Sequence, residues 1–459
     1  MFRRIEVFGF KVLSYFFPKA ASVIRAIYAH QATAVHTTQE PLVQSKAMNI
    51  MELMSYHNIL NAVDKKNQRI AVISPMPPAK TGIADYTLIS FVNNHIETHF
   101  YGDYPDVDVM LDHKKALSQT NPSQFFNIDT YVNAAKMVDY SLEVFVLGNS
   151  DHNLKMAASL LTAKKTTAPR ALYLHDLCLF NLLFLVCLEL NLNYVQVLRD
   201  AYSHKDPEIL NDKNVFDIHH LIENGIYALK PFVDRGLVDE MWVNSSAARK
   251  LAETDLGTVT PIVIKEIFLP VPTIKVEHYN NFDEDFIRIG SFGLPNEGKD
   301  TPKIIKAVQK LVAKGLKIKL IIAGYLAEDF FKNNYTTVPD FIEIHDSPDE
   351  KELFRLMGSI DLAIQLRKKS LGESSGVVPQ LLTLKKNVIV TRIGSFVDYG
   401  EAVRMVEDSL NADELATVIN DELLHIGGRN ADIDNYLNTH GVQDFIEFVN
   451  GCIPRRIEK

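Results

Sequence analysis

Two patterns alternate along most of this chain. Short, near-continuous apolar runs are separated by segments whose apolar positions recur at helical spacing. "RIAVISP" (69–75) is β-branched and bounded by proline, and it predicts a strand. "GIADYTLISFVNNH" (82–95) predicts the helix that follows. "VFVLG" (144–148), "ALYLH" (171–175), "MWVNS" (241–245) and "IVIKEIF" (262–268) predict further strands. Strands apolar on both faces, with helical segments between them, indicate a parallel sheet covered on both sides.

Residues 269–285 carry two prolines and then acids, and read as a linker. The alternation then restarts. "IRIGSFG" (287–293) is a strand and turn, and "TPKIIKAVQKLVAKG" (301–315) a helix with Pro302 in its first turn and Gly315 closing it. "KIKLIIAG", "FIEIH", "DLAIQL" and "NVIVT" follow as short strands. The expected fold class is α/β: two doubly wound, Rossmann-like domains facing a cleft. The expected boundaries are a helical N-terminal extension (1–65), a first domain (66–275), a second domain (276–435) and closing helices (436–459).

Length agrees, since 459 residues exceed one ordinary core. A formal net charge of −9 excludes nucleic-acid binding by charge alone. Three cysteines, Cys178, Cys187 and Cys452, have no metal-like spacing and fit a reducing compartment without disulfides.

The first thirty residues depart from the average. Arg3, Arg4, Lys11, Lys19 and Arg25 stand against one acid, Glu6, while Ile5, Phe8, Val12 and Phe16 recur at helical spacing. The interleaved charges argue against a signal peptide or a spanning helix. Two readings stay open: a basic amphipathic segment in a membrane interface, or a helix packed on the protein. Residues 177–195 are the most apolar stretch, but Asn181, Glu189, Asn191 and Asn193 interrupt it, so a buried helix is expected.

In open parallel sheets ligands bind beyond the carboxyl ends of the strands, so chemistry is expected just after strands. "PMPPAKTGIADY" (75–86) is a proline-stiffened loop in which Gly82 would let backbone approach a ligand at a helix start; the alternative is a tight turn. "LYLHDL" (172–177) ends in His175 and Asp176, where a histidine could bond a ligand, act as acid or base, or be purely structural. "GSFGLPNEGKD" (290–300) places Gly293 in a loop and Lys299 before a helix, as an anion-binding cation or a plain surface lysine. In "SLGESSGVVPQLL" (370–382) a helix is expected to start near Gly376. The N–H groups of Ser374, Ser375 and Gly376 would be unpaired and suit an anion. Glu373 would repel a bare anion and suits hydroxyl groups of the same ligand. Phosphate plus sugar hydroxyls describe a nucleotide sugar, whereas a capped helix start is the plain alternative. "DVD" (106–108) has an aspartate spacing used with metals, and "HH" (219–220) lacks partners, so no metal is expected.

Together these stretches resemble glycosyltransferase family 4, retaining enzymes of the GT-B fold. "ISPMPPAKTGIADYT", "LYLHDL", "IGSFGLPNEGKDTPKIIKAVQKL" and "QLRKKSLGESSGVVPQLLTLKKNVIVTRIGSF" carry the likeness, over roughly residues 68–430. The resemblance implies an acceptor domain first and a donor-sugar domain second. It implies catalytic roles for His175 and Glu373, with Glu373 on the sugar hydroxyls. It implies a diphosphate held by Lys299, Gly293, Ser374, Ser375 and Gly376, and a cleft loop of Lys80, Gly82 and Asp85. No cofactor is implied beyond the nucleotide-diphosphate sugar donor, and no metal. Two positions depart from the pattern: Leu381, where many members carry a second Glu, and Leu294, where many carry an Arg.

The function expected is a metal-independent hexosyltransferase moving a hexose to a glycan or lipid-linked acceptor in bacterial-type surface polysaccharide or glycolipid synthesis. The expected setting is cytoplasmic, peripheral on the inner face of the membrane through residues 1–30, with no nucleic-acid partner. The alternatives are a non-catalytic GT-B-like partner of an active transferase, or an epimerase or phosphorylase on the same fold. A nicotinamide enzyme is disfavoured, since GxGxxG is absent.

Overall fold

The computed structural model describes residues 68–92, 95–105, 108–110, 124–257, 262–272 and 285–454. The amphipathic segment 1–30, most of the linker and Asp106 lie outside the described residues.

The first domain is built on a seven-stranded parallel sheet. Its strands are β1 (Arg69–Ile73), β2 (Glu97–Gly102), β3 (Gln124–Asn127), β4 (Leu142–Leu147), β5 (Arg170–Leu174), β6 (Glu240–Val243) and β7 (Val263–Glu266), in the order β3-β2-β1-β4-β5-β6-β7. The second sheet has β8 (Ile287–Phe292), β9 (Ile318–Gly324), β10 (Ile342–Asp346), β11 (Leu362–Gln365), β12 (Asn387–Thr391) and β13 (Arg404–Val406), in the order β10-β9-β8-β11-β12-β13. Each order reverses direction once, between β1 and β4 and between β8 and β11. Such switch points open the crevice in which doubly wound sheets hold ligands.

The helices that position the cleft are α1 (Gly82–Phe91), α2 (Phe180–Glu189), α3 (Ser246–Leu256), α4 (Thr301–Ala313), α5 (Glu350–Ser359), α6 (Val377–Thr383) and α7 (Val442–Gly451). α1 follows β1, with the Thr81 side chain accepting from Ile83 N–H as its cap. α4 carries Pro302 in its first turn and buries Ile304, Ile305, Val308 and Leu311 against the sheet, and Gly315 ends the turn at φ +97°. The apolar stretch 177–195 is a buried helix that stops where Asn191 takes φ 53° and Asn193 caps the next one. Among the described residues no helix is long and apolar enough to cross a membrane.

Three strands escaped the apolar pattern, for a physical reason. β2 is fully buried yet reads Glu-Thr-His-Phe-Tyr-Gly, because its polar side chains meet partners inside: Glu97 accepts from Arg69 at 2.9 Å and contacts His99 at 3.0 Å. β3 has four residues and β13 three, too few to show a period. The closing helices divide their contacts. α7 packs on the first domain, Phe445 meeting Phe91 edge-on at 5.2 Å and Phe448 meeting Trp242 at 5.1 Å. The chain therefore returns from the second domain to brace the first.

Candidate active site

After β11 the chain turns through Arg367–Gly376 before entering α6. Gly372 makes this turn at φ +90°, where a Cβ would also collide with Leu177. Within the turn the Arg367 guanidinium is ion-paired with the Glu373 carboxylate, and its Nη1 also donates to the Glu373 carbonyl at 3.3 Å. The other carboxylate oxygen accepts from Leu371 N–H at 2.7 Å. Ser395 Oγ donates to the Glu373 carbonyl at 3.1 Å, tying the turn to the loop after β12. Glu373 is thus fixed in place yet still partly exposed.

α6 starts at Val377, with Gly376 as its cap residue and Pro379 in the first turn. Among the described residues the backbone N–H groups of Ser374, Ser375 and Gly376 make no hydrogen bond. Ser374 Oγ is buried and also without a partner. A buried polar group left unpaired costs about 1–3 kcal/mol, so an occupant that bonds Ser374 Oγ is favoured.

The loop after β8 supplies the adjoining wall. Gly293 stands at φ +93°, and a Cβ there would lie 2.5 Å from Lys299 Nζ. Gly293 backbone also crosses against Gly324, at the end of β9. Lys299 Nζ makes no hydrogen bond or ion pair among the described residues. Burial, with the Arg367 charge beside it, lowers its ammonium to about 8, while Glu373 acts the other way. An unpaired, desolvated ammonium beside unpaired amides is an anion site by charge and by donor count.

The first domain faces this wall with the end of β5. His175 is held by its N–H to Leu147 O at 3.0 Å, and its Nδ1 lies 3.3 Å from Asn244 Nδ2. Its Nε2 is buried without a partner, and burial lowers the imidazole to about 4. Asp176 accepts from Asn149 N–H at 2.8 Å. Burial raises its carboxyl, and the charge of Glu373 adds to the rise. Tyr86 of α1 reaches across and donates to the Gly376 carbonyl at 2.6 Å.

The sequence-predicted residues Glu373, Ser374, Ser375, Gly376, Lys299, Gly293 and His175 therefore collect at the carboxyl ends of the two sheets. Asp85 is solvent-exposed on α1, and partial desolvation together with the Glu350 carboxylate of α5 pushes it up to about 6. Gly82 and Lys80 are exposed, and a Cβ on Gly82 would meet no protein atom within 4 Å. His219 and His220 lie on a short helix, Ile218–Glu223, away from these elements. Four contributors were not singled out from the sequence: Arg367, Asn149, Asn244 and Tyr86. The first three stand within two residues of a strand's end, which is a usable signal. Tyr86 lies inside a helix and carries none.

Beside the Ser374 wall a cavity of about 200 Å³ lies between the domains, bordered by Asn244, Ser374, Ser395, Tyr399, Tyr436 and His440.

Known structures share this architecture. An α,α-trehalose-phosphate synthase (UDP-forming) from Burkholderia xenovorans, in complex with glucose-6-phosphate, superposes with a TM-score of 0.52 at 11% identity, over 84% of this chain and 100% of that one. An E. coli trehalose-6-phosphate synthase structure bound with UDP-2-fluoro glucose gives 0.53 at 10% identity, over 84% and 99%. The sucrose-phosphate synthase of Thermosynechococcus elongatus gives 0.52 at 11% identity, over 84% and 98%. The fold is GT-B. No protein-family model and no curated protein matches the chain by sequence. In this GT-B chain the candidate site occupies the interdomain cleft, at both switch points.

Proposed function

We propose that the chain is a retaining glycosyltransferase that takes a hexose from a nucleotide-diphosphate sugar. One observation carries the reading: the Arg367–Glu373 pair stands beside the unpaired amides of Ser374–Gly376 and the unpaired Lys299. An acid for hydroxyls and donors for phosphate, in one turn, match a ligand that is sugar at one end and diphosphate at the other. The relatives in fold that were solved with UDP-2-fluoro glucose and glucose-6-phosphate support the class.

In this reading the acceptor oxygen bonds to the anomeric carbon as the bond to the leaving diphosphate breaks, on the same face. The departing phosphate oxygen takes the acceptor's proton. The protein supplies position and charge stabilisation: Lys299 and the amides on the diphosphate, Glu373 on the sugar, His175 beside it. Gly82, Lys80 and Asp85 line the acceptor side. No metal enters this scheme. The acceptor is a glycan or lipid-linked sugar of surface polysaccharide or glycolipid synthesis, and the protein works in the cytoplasm, peripheral to the membrane through residues 1–30.

The test is a thermal-shift screen of nucleotide-diphosphate sugars, followed by transfer assays with the best donor. Stabilisation by one of them, lost in Glu373→Ala, is the expected result. A protein stabilised by none of them is not a transferase of this kind.

A second reading, a non-catalytic partner of an active transferase, draws on Leu381. That side chain is fully buried among Met357, Val378 and Val388, so it offers a nucleoside nothing. Calorimetry with nucleotide sugars separates the two, because a scaffold binds none.

A further inference from the structure

His175 does not stand alone at the end of β5. Asn244, the residue after β6, presents its carboxamide to both His175 and Tyr173. The Tyr173 hydroxyl donates to Asn244 Oδ1 at 2.7 Å, and Asn244 Nδ2 lies 3.3 Å from His175 Nδ1. The Tyr173 ring also packs on the imidazole, with centroids 4.7 Å apart. Tyr173 and Asn244 are buried.

A carboxamide used in this way has a defined polarity. With Oδ1 occupied as an acceptor, Nδ2 is left to donate, and Nδ1 of the imidazole has to receive. An imidazole that accepts at Nδ1 carries its proton at Nε2 when neutral, and Nε2 is the buried atom without a partner.

We propose that Asn244, held by Tyr173, is a positioning residue that fixes His175 as a neutral Nε2–H donor facing the cleft, so that His175 binds an oxygen of the ligand and does not act as a base. The role in transfer rests on the function proposed above, whereas the tautomer does not. Protonation at Nδ1 would set an N–H against the Asn244 N–H, so the imidazolium is excluded by the same contact. The groups around the ring agree. Tyr173 and Asn244 are neutral, and the carboxylate of the next residue, Asp176, accepts from Asn149 N–H. Glu373, across the cleft, is held by Arg367. Among the described residues no carboxylate is hydrogen-bonded or ion-paired to this imidazole, and burial brings it down to about 4.

The experiment is a nitrogen-15 histidine spectrum of the full chain, with His175 assigned from the peak lost in His175→Gln. The wild type is expected to show the Nε2–H tautomer and no protonation between pH 7.5 and 5.5. In Asn244→Asp the new carboxylate should take Nδ1–H as its partner, switching the tautomer and moving titration above the ordinary histidine value. Tyr173→Phe, which keeps the ring and removes only the hydroxyl, should mix the two tautomers and serves if the Asp variant does not fold. A wild type in the Nδ1–H form overturns the proposal, as do spectra unchanged in both variants. With a donor in hand, Asn244→Asp should lower kcat more than it raises the donor KM. Absence of any transfer, with the tautomer as stated, would count against the proposed function and leave the positioning role standing.

Discussion

Tyr86 in the first domain and Gly376 in the second are locked together in two ways. The tyrosine hydroxyl donates to the glycine carbonyl at 2.6 Å, and a Cβ on Gly376 would lie 2.9 Å from the tyrosine ring. One contact is attractive and the other a limit on size, so together they set how close the α6 turn comes to α1.

The pair can be taken apart by substitution. Tyr86→Phe keeps the ring and removes the hydrogen bond, which should weaken the domain contact by about 1 kcal/mol. Donor affinity should fall about fivefold with little change in Tm. Gly376→Ala adds the colliding Cβ to the turn that carries Glu373 and should cost far more affinity. Calorimetry with the identified donor distinguishes them. If the two variants bind alike, the close approach plays no part in donor binding.

Glu373 itself should be essential to transfer and dispensable to the fold. It is half-exposed, so Glu373→Ala should leave circular dichroism and Tm nearly unchanged while kcat/KM drops by about 10²–10³ or more. Glu373→Gln keeps the size but not the charge opposite Arg367, and should lose nearly as much. Turnover close to wild type in either variant would remove Glu373 from the mechanism.

The donor affinity should depend on pH through Lys299. In the free protein burial and the Arg367 charge bring this ammonium to about 8, and a bound diphosphate favours its charged form. Binding is therefore full below pH 8 and weakens as pH rises through it, by up to about tenfold per unit when one proton is coupled. Calorimetry with a nucleoside diphosphate from pH 7.5 to 9.5 reads this directly. Lys299→Met should bind weakly and without the slope, and a flat wild-type profile would contradict the assignment.

Gly82 offers a contrast between stability and activity. Nothing in the protein lies within 4 Å of a Cβ there, and its φ is not in the left-handed region. The fold itself does not demand glycine. Gly82→Leu should change stability by no more than about 0.5 kcal/mol. If the acceptor approaches this loop, transfer should fall at unchanged donor affinity. A fully active Gly82→Leu would take the loop out of the acceptor site.

What could be read from the sequence follows the same physics. Strands buried on both faces declare themselves as apolar runs, and β1, β4, β5, β11 and β12 are plain, as are the largely apolar β8 and β9. The post-strand rule then led to His175, Lys299 and Glu373, because a doubly wound sheet leaves few other places for a ligand. What stayed hidden were relations between distant residues. That Tyr86 reaches Gly376, or that Asn244 orients His175, depends on how two domains and two strands meet. Neither spacing nor composition encodes that. β2 was hidden for a different reason: its polar residues are satisfied inside the protein.

That buried polar strand supplies the last prediction. Burial opposes ionisation of Glu97, yet hydrogen bonds and charge from His99 and Arg69 prevail and hold its carboxyl at about 2, against 4.5 for the free group. Gln124 Nε2 adds a further bond at 3.1 Å. Between those two values the unfolded chain binds the proton and the folded one does not, so stability rises with pH across the interval. The contribution is complete above pH 4.5, on the order of 3 kcal/mol, and is lost as pH falls towards 2. Glu97→Gln removes the carboxylate that Arg69 and His99 meet, and should cost on the order of 3 kcal/mol at pH 7, the size of the linkage contribution. As the pH falls from 4.5 towards 2 the unfolded wild type takes up a proton that the folded protein does not, so the advantage of the carboxylate shrinks and the gap in Tm between the two proteins should narrow. Denaturation scans at pH 7, 4 and 3 measure it. A gap that stays constant over that range would mean that Glu97 acts through packing, and that the charge network around β2 contributes no stability.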